Sequence, residues 1–86
     1  MKSVFFGTSQ FGAIILERLF RAHIVPLLVV ATPDKPAGRK QLLTPPPVKV
    51  MAQEFGIPVI QPEKLDQYTR YKIQDTNPDL IIVAAY

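Results

Sequence analysis

Two runs of this chain, Leu27 to Ala31 and Leu80 to Ala85, are apolar at every position. A strand with one wet face alternates polar and apolar residues, whereas a strand covered on both faces, as in a parallel sheet, does not. Val4-Phe5-Phe6, ended by Gly7, and Ile57 to Ile60 are two further short strand candidates. Segments of helical period separate them, so the chain reads as successive βα steps followed by a fourth strand. That pattern predicts an α/β, Rossmann-like parallel sheet. Right-handed crossovers and an order such as 3-2-1-4 place a switch point between the first and last strands, with ligands expected at the carboxyl ends. Gly7 to Phe11 and Tyr86 are expected to meet there.

At 100° per residue, Phe11, Ile15, Leu16, Leu19, Phe20 and Ala22 share a broad apolar arc, with Gln10, Glu17, Arg18 and Arg21 opposite. Ile14 alone falls on the polar side. Thr8 or Ser9 supplies the N-cap oxygen, and His23 with Pro26 marks the helix end. His23 there is a favourable partner for the helix dipole rather than a catalytic group. A second helix starts near Pro47, suited to a first helical position, and ends at a C-capping Gly56. A third, on the surface, is expected between residues 65 and 75, and Asn77-Pro78-Asp79 reads as a turn.

Residues 33–47 contain five of the nine prolines together with Gly38, which excludes a central strand and an unbroken helix. A loop of this length is usually functional or disordered. From Lys35 to Gln53 there are four basic residues and no acidic one, whereas the remainder carries six basic and seven acidic groups. The basic character of the chain therefore belongs to this segment. Lys35, Arg39 and Lys40 on a Gly/Pro frame are placed to reach phosphates, and Gly38 allows close backbone approach.

With 86 residues the chain makes at most one domain, and 48% hydrophobic with 20% charged residues is a globular composition. The absence of cysteine and the single histidine exclude a disulfide scaffold, thiolate metal sites and an ordinary zinc site. The longest apolar run, Ile24 to Ala31, is far short of the ~20 residues of a membrane helix. With no signal-peptide pattern either, a cytoplasmic protein is expected.

Gly7-Thr-Ser-Gln-Phe-Gly12 has the spacing of a phosphate loop, but Ala13 stands where that motif requires Lys. The same residues match the dinucleotide fingerprint at two glycines of three, with Ser9 at the position that lets backbone approach a pyrophosphate and Asp34 placed to mimic the ribose-binding acid. A capped strand-to-helix turn explains Gly7, Thr8 and Ser9 without any ligand. A stand-alone nucleic-acid-binding or dinucleotide-binding module is thus the alternative to an enzymatic role, and the residues of this chain contain no acid, base and nucleophile cluster.

The segments Phe5-Phe6-Gly7-Thr8 with Phe11, Thr32-Pro-Asp-Lys-Pro-Ala-Gly-Arg39, Pro47-Val-Lys49, Gly56-Ile-Pro58, Gln61-Pro62 and Pro78-Asp-Leu-Ile-Ile-Val-Ala-Ala-Tyr86 resemble the methionyl-tRNA formyltransferase family, in order and along essentially the whole chain. The resemblance implies that residues 1–86 are the amino-terminal portion of a formyltransferase catalytic domain, carrying the first four strands of its sheet and the basic loop 33–47. It implies transfer of a formyl group from 10-formyltetrahydrofolate, as cosubstrate, to the methionine amino group of initiator tRNA, without a metal. It places Lys35, Gly38, Arg39 and Lys40 at the tRNA acceptor end, and Gly7, Thr8 and Phe11 at the aminoacyl pocket. The family's catalytic Asn, His and Asp and its folate pocket are expected downstream of Tyr86. The partners expected are initiator methionyl-tRNA and the rest of the same polypeptide, or a second copy if the chain stands alone.

Overall fold

The computed structural model describes residues Met1 to Tyr86. In chain order the elements are β1 (Ser3–Gly7), α1 (Gln10–Arg21), β2 (Leu28–Val30), β3 (Lys35–Ala37), β4 (Leu42–Thr44), α2 (Pro47–Glu54), β5 (Val59–Ile60), α3 (Gln67–Asp75) and β6 (Leu80–Ala84). Four strands form one parallel sheet in the order β5-β2-β1-β6, and β3 and β4 form a separate antiparallel ribbon. This is the parallel α/β sheet expected from the apolar runs, and its order matches the 3-2-1-4 example.

Period-two alternation divides the core. Phe5 lies beside Val29 and Ile82 in the sheet and shares one face with Val59, under Ala13 and Leu16 of α1 and Val48 and Ala52 of α2. Val4, Phe6, Leu28 and Val30 point to the other face, where Ile60 and Ile73 of α3 pack on them. All five residues of β1 are buried, as its central place requires. Phe5, Leu16, Val29 and Val48 are wholly inaccessible, and truncating such a Leu or Phe to Ala costs about 2–5 kcal/mol. Phe20 and Phe55 stack with centroids 3.8 Å apart and join α1 to α2.

Two expectations change. The inward face of α1 is made by Gly12, Ala13 and Leu16, with Ile15, Leu19 and Phe20 half-buried, so the buried stripe is rotated and Phe11 is left 62% exposed. Small residues face inward because α1 starts in close contact with β6. Within 33–47, moreover, the chain forms a hairpin rather than an irregular loop. Pro36 is tolerated there because each strand of a two-stranded ribbon has a free edge that needs no N–H from it.

Each helix ends on a residue with left-handed backbone: His23 (φ 64°), Gly56 (φ 72°) and Asn77 (φ 50°). After α1, Ile24 N–H donates to Leu19 O and His23 N–H to Phe20 O; after α2, Ile57 N–H donates to Ala52 O and Gly56 N–H to Gln53 O. Both patterns are Schellman closures that satisfy otherwise unpaired helix carbonyls.

Candidate functional site

β1 ends in Gly7, and the turn into α1 lies against the carboxyl ends of both neighbouring strands. Thr8 joins four elements. Its N–H donates to Ala85 O just past β6 (3.1 Å), its carbonyl accepts from Val48 N–H in α2 (3.3 Å), and its Oγ1 accepts from Thr32 N–H just past β2 (3.2 Å). Ser9, not Thr8, caps α1, its Oγ accepting from Gly12 N–H at 3.4 Å. Tyr86 reaches the same end of the sheet and meets Phe6 edge-on at 5.5 Å. Gly7 to Thr8 and the chain after β6 therefore converge as the switch-point argument requires.

The two glycines of the turn are required by packing. A Cβ on Gly7 would lie 2.6 Å from Phe5 Cε1 and 2.9 Å from Ala84 O, and one on Gly12 would lie 2.6 Å from Ala84 O. Their lack of side chains lets α1 close onto β6. This accounts for the G-x-x-x-x-G spacing without a nucleotide, and Asp34, the candidate ribose acid, is already engaged. Its carboxylate accepts from Lys49 Nζ at 3.1 and 3.3 Å and from Gln61 Nε2 at 2.6 Å. The Gln61 hydrogen bond, and then Lys49, hold the Asp34 carboxyl below the usual carboxylate range, so it is ionised at neutral pH. Gln61 Nε2 also donates to Thr32 O at 3.1 Å, which links the ends of β5 and β2.

The hairpin leaves the sheet just beyond this network. Its turn, Gly38 to Gln41, is closed by Gln41 N–H and Nε2 donating to Gly38 O at 3.2 and 3.0 Å, with Gly38 at φ 76°. Arg39 and Lys40 occupy the tip, and Lys35 stands at the base, paired in register with Thr44. All three are exposed and none has an acidic group within 4 Å, whereas Lys49, the fourth charge of the basic segment, is neutralised by Asp34. Leu42 and Leu43 on the hairpin are exposed as well. The structure thus brings Lys35, Gly38, Arg39 and Lys40 together on one projecting ribbon. Gly7 and Thr8 lie at its foot, the former buried, while Phe11 is exposed on the first turn of α1.

Sequence reasoning missed the Thr8–Thr32–Gln61–Asp34–Lys49 network. The legible signal was opposite charge at the two ends of the proline-rich segment, Asp34 at its start and Lys49 just after it. No group of three or more His, Cys, Asp or Glu side chains is placed to hold a metal ion, and no helix is long and apolar enough to cross a membrane.

A parallel sheet with flanking helices and a switch point between β1 and β6 defines a Rossmann-like α/β protein. The solved structure of phosphoribosylglycinamide formyltransferase from Bacillus halodurans superposes with a TM-score of 0.69 over 100% of this chain and 45% of that one; at 13% identity the likeness is one of fold. No family model matches the chain. Sequence similarity is much closer to methionyl-tRNA formyltransferases: 50% identity over 86 residues with that of Macrococcus caseolyticus, 47% over 87 with that of Halalkalibacterium halodurans and 47% over 87 with that of Sulfurovum sp.. These alignments take in 99 to 100% of this chain but only 27 to 29% of the relatives' length. The chain is homologous, along its whole length, to the amino-terminal part of methionyl-tRNA formyltransferase.

Proposed function

We propose that this chain serves as the amino-terminal part of an enzyme that moves a formyl group from 10-formyltetrahydrofolate to the methionine amino group of initiator methionyl-tRNA. The observation that carries the reading is the exposed ribbon with three unpaired cations at the carboxyl end of the sheet. Lys35, Arg39 and Lys40 meet phosphates of the acceptor end, and Gly38 lets backbone come close to them. Arg39, with a planar fork of donors, orients the nucleic acid, and the two lysines act as point charges. Thr8 and Phe11 border the space for the aminoacyl group, and Gly7 keeps that end of β1 slim enough for α1 and β6 to meet.

Formyl transfer requires removal of a proton from the attacking amine and stabilisation of the oxyanion formed at the formyl carbon. In this reading those groups and the folate pocket belong to the rest of the polypeptide, and the chain alone is expected not to catalyse. The residues present here bind and orient.

The test is a titration of the chain with initiator tRNA at several salt concentrations, alongside a formylation assay. Three phosphate contacts release counterions to give a log–log salt slope of about −2 to −3. Absence of salt-dependent binding overturns the hairpin's role, and formylation by the chain alone overturns its silence. A free-standing RNA-binding module is the second reading, favoured by the fact that the hairpin is built entirely within these residues. Formylation by the chain joined to the remaining three-quarters of a relative would decide against it.

A further inference from the structure

The hairpin has no core of its own. Every residue from Lys35 to Thr44 is exposed, and β3 and β4 pack extensively only on each other. Nothing in the ribbon itself therefore sets the direction in which it leaves the domain. Its two stems, by contrast, are restrained. The outgoing stem is Pro45-Pro46-Pro47, with φ fixed at each residue and Pro46 buried. The incoming stem is held by the bonds of Thr32 to Thr8 and Gln61, and then by Asp34, the residue before β3. Lys49, in the first turn of α2, binds both oxygens of Asp34, so the pair spans the base of the ribbon from the strand that enters it to the helix that follows it. The two side chains are only 20% and 29% exposed, and a pair so sheltered is less screened by salt than one in open solvent.

We propose that Asp34, Lys49 and Gln61 form a clasp that fixes the angle of the basic hairpin, which makes Asp34 a positioning residue for nucleic-acid capture; the positioning role rests on the function proposed above, whereas the clasp does not. Opening the clasp frees the incoming stem while leaving every cation of the ribbon in place. Binding then has to order the hairpin first, and affinity falls because the contacts are no longer preorganised.

The chain contains no cysteine, so nitroxide labels introduced by Leu43→Cys on the hairpin and Arg18→Cys on the exposed side of α1 report one distance. Labelled chain diluted in unlabelled chain is expected to give a single narrow distance distribution. Asp34→Asn replaces it with a broad one, and the exchange Asp34→Lys with Lys49→Asp restores the narrow peak. In the unlabelled chain, Asp34→Asn weakens binding to an RNA hairpin copying the initiator acceptor stem about tenfold, and the exchange recovers it. An unchanged distribution in folded Asp34→Asn overturns the clasp. If that variant does not fold by circular dichroism, the exchange variant decides: a narrow peak upholds the clasp, and a broad distribution or an unfolded chain overturns it. A broadened distribution with undiminished RNA affinity overturns the positioning role alone. Failure of the unsubstituted chain to bind that RNA overturns the proposed function and leaves the distance result to judge the clasp.

Discussion

At Gly12 two effects of opposite sign meet. Alanine is favoured over glycine inside a helix by about 1 kcal/mol, but the new Cβ would sit 2.6 Å from a backbone oxygen, Ala84 O, and 3.0 Å from Val48 Cγ2. Overpacking of a tight contact costs about 1–3 kcal/mol, and here the obstacle is main chain, which shifts less readily than a side chain. Gly12→Ala therefore lowers the midpoint of urea unfolding; a raised midpoint would mean that α1 and β6 separate at little cost. The opposite outcome is expected at His23. It occupies the left-handed closing position of α1 that Gly56 occupies in α2, and nothing it bonds through its side chain holds it there. His23→Gly removes left-handed strain of about 1 kcal/mol, partly offset by the greater entropy of glycine in the unfolded chain, and raises the same midpoint. Asp66 caps α3, accepting from Thr69 N–H at 3.1 Å, and this hydrogen bond holds its carboxyl below the ordinary carboxylate range. A depressed pKa gives stability that is fully present above the unfolded value, about 3.9, and is lost as pH falls through the folded one. Asp66→Ala should accordingly lower the thermal midpoint at pH 7, with the deficit shrinking below about pH 4.

Among the elements, those that carry their own period were legible. The strand runs at β2 and β6, the proline start and glycine end of α2 and the third helix all stand where local pattern puts them. The face of α1 was not, because an apolar arc counts Phe11 and discounts Ala13, whereas close approach to β6 selects small residues. The hairpin was hidden by its prolines, which forbid a central strand but not a free ribbon. It is also the element whose function is most directly testable. Arg39→Ala, in an enzyme completed with the rest of a relative's chain, is expected to reduce kcat/KM for methionyl-tRNA by about 1–3 kcal/mol of binding free energy while leaving the unfolding midpoint unchanged, since an exposed residue has little packing to lose. An unaltered kcat/KM removes Arg39 from the site, and a fall in midpoint of matching size reassigns it to stability. Lys35→Ala and Lys40→Ala each do less, because neighbouring point charges partly replace them.

At the scale of the molecule, β6 is the exposed edge of the sheet, with Leu80 43%, Ile81 50% and Val83 67% accessible. An unpaired apolar edge is a template for another strand, so the chain by itself is expected to associate in sedimentation experiments, and Val83→Lys to shift it toward monomer. A monodisperse monomer at high concentration would show that the edge is protected by other means. The parallel α/β sheet was already implied by the primary sequence, because uninterrupted apolar runs are joined by helical segments, and the order β5-β2-β1-β6 is one of the few arrangements that the crossover rule leaves open. The basic segment was legible too, since charge and proline content are properties of composition. Which cations remain free was decided only in three dimensions. Lys49 and Lys35 look alike in one dimension, and folding brings Asp34, fifteen residues from Lys49 and itself bonded by Gln61, onto the first and leaves the second alone. Hydrogen bonds between the ends of β2, β5 and α2 depend on distances that local period does not encode, and those distances determine which charges face solvent and how the hairpin that carries them is held.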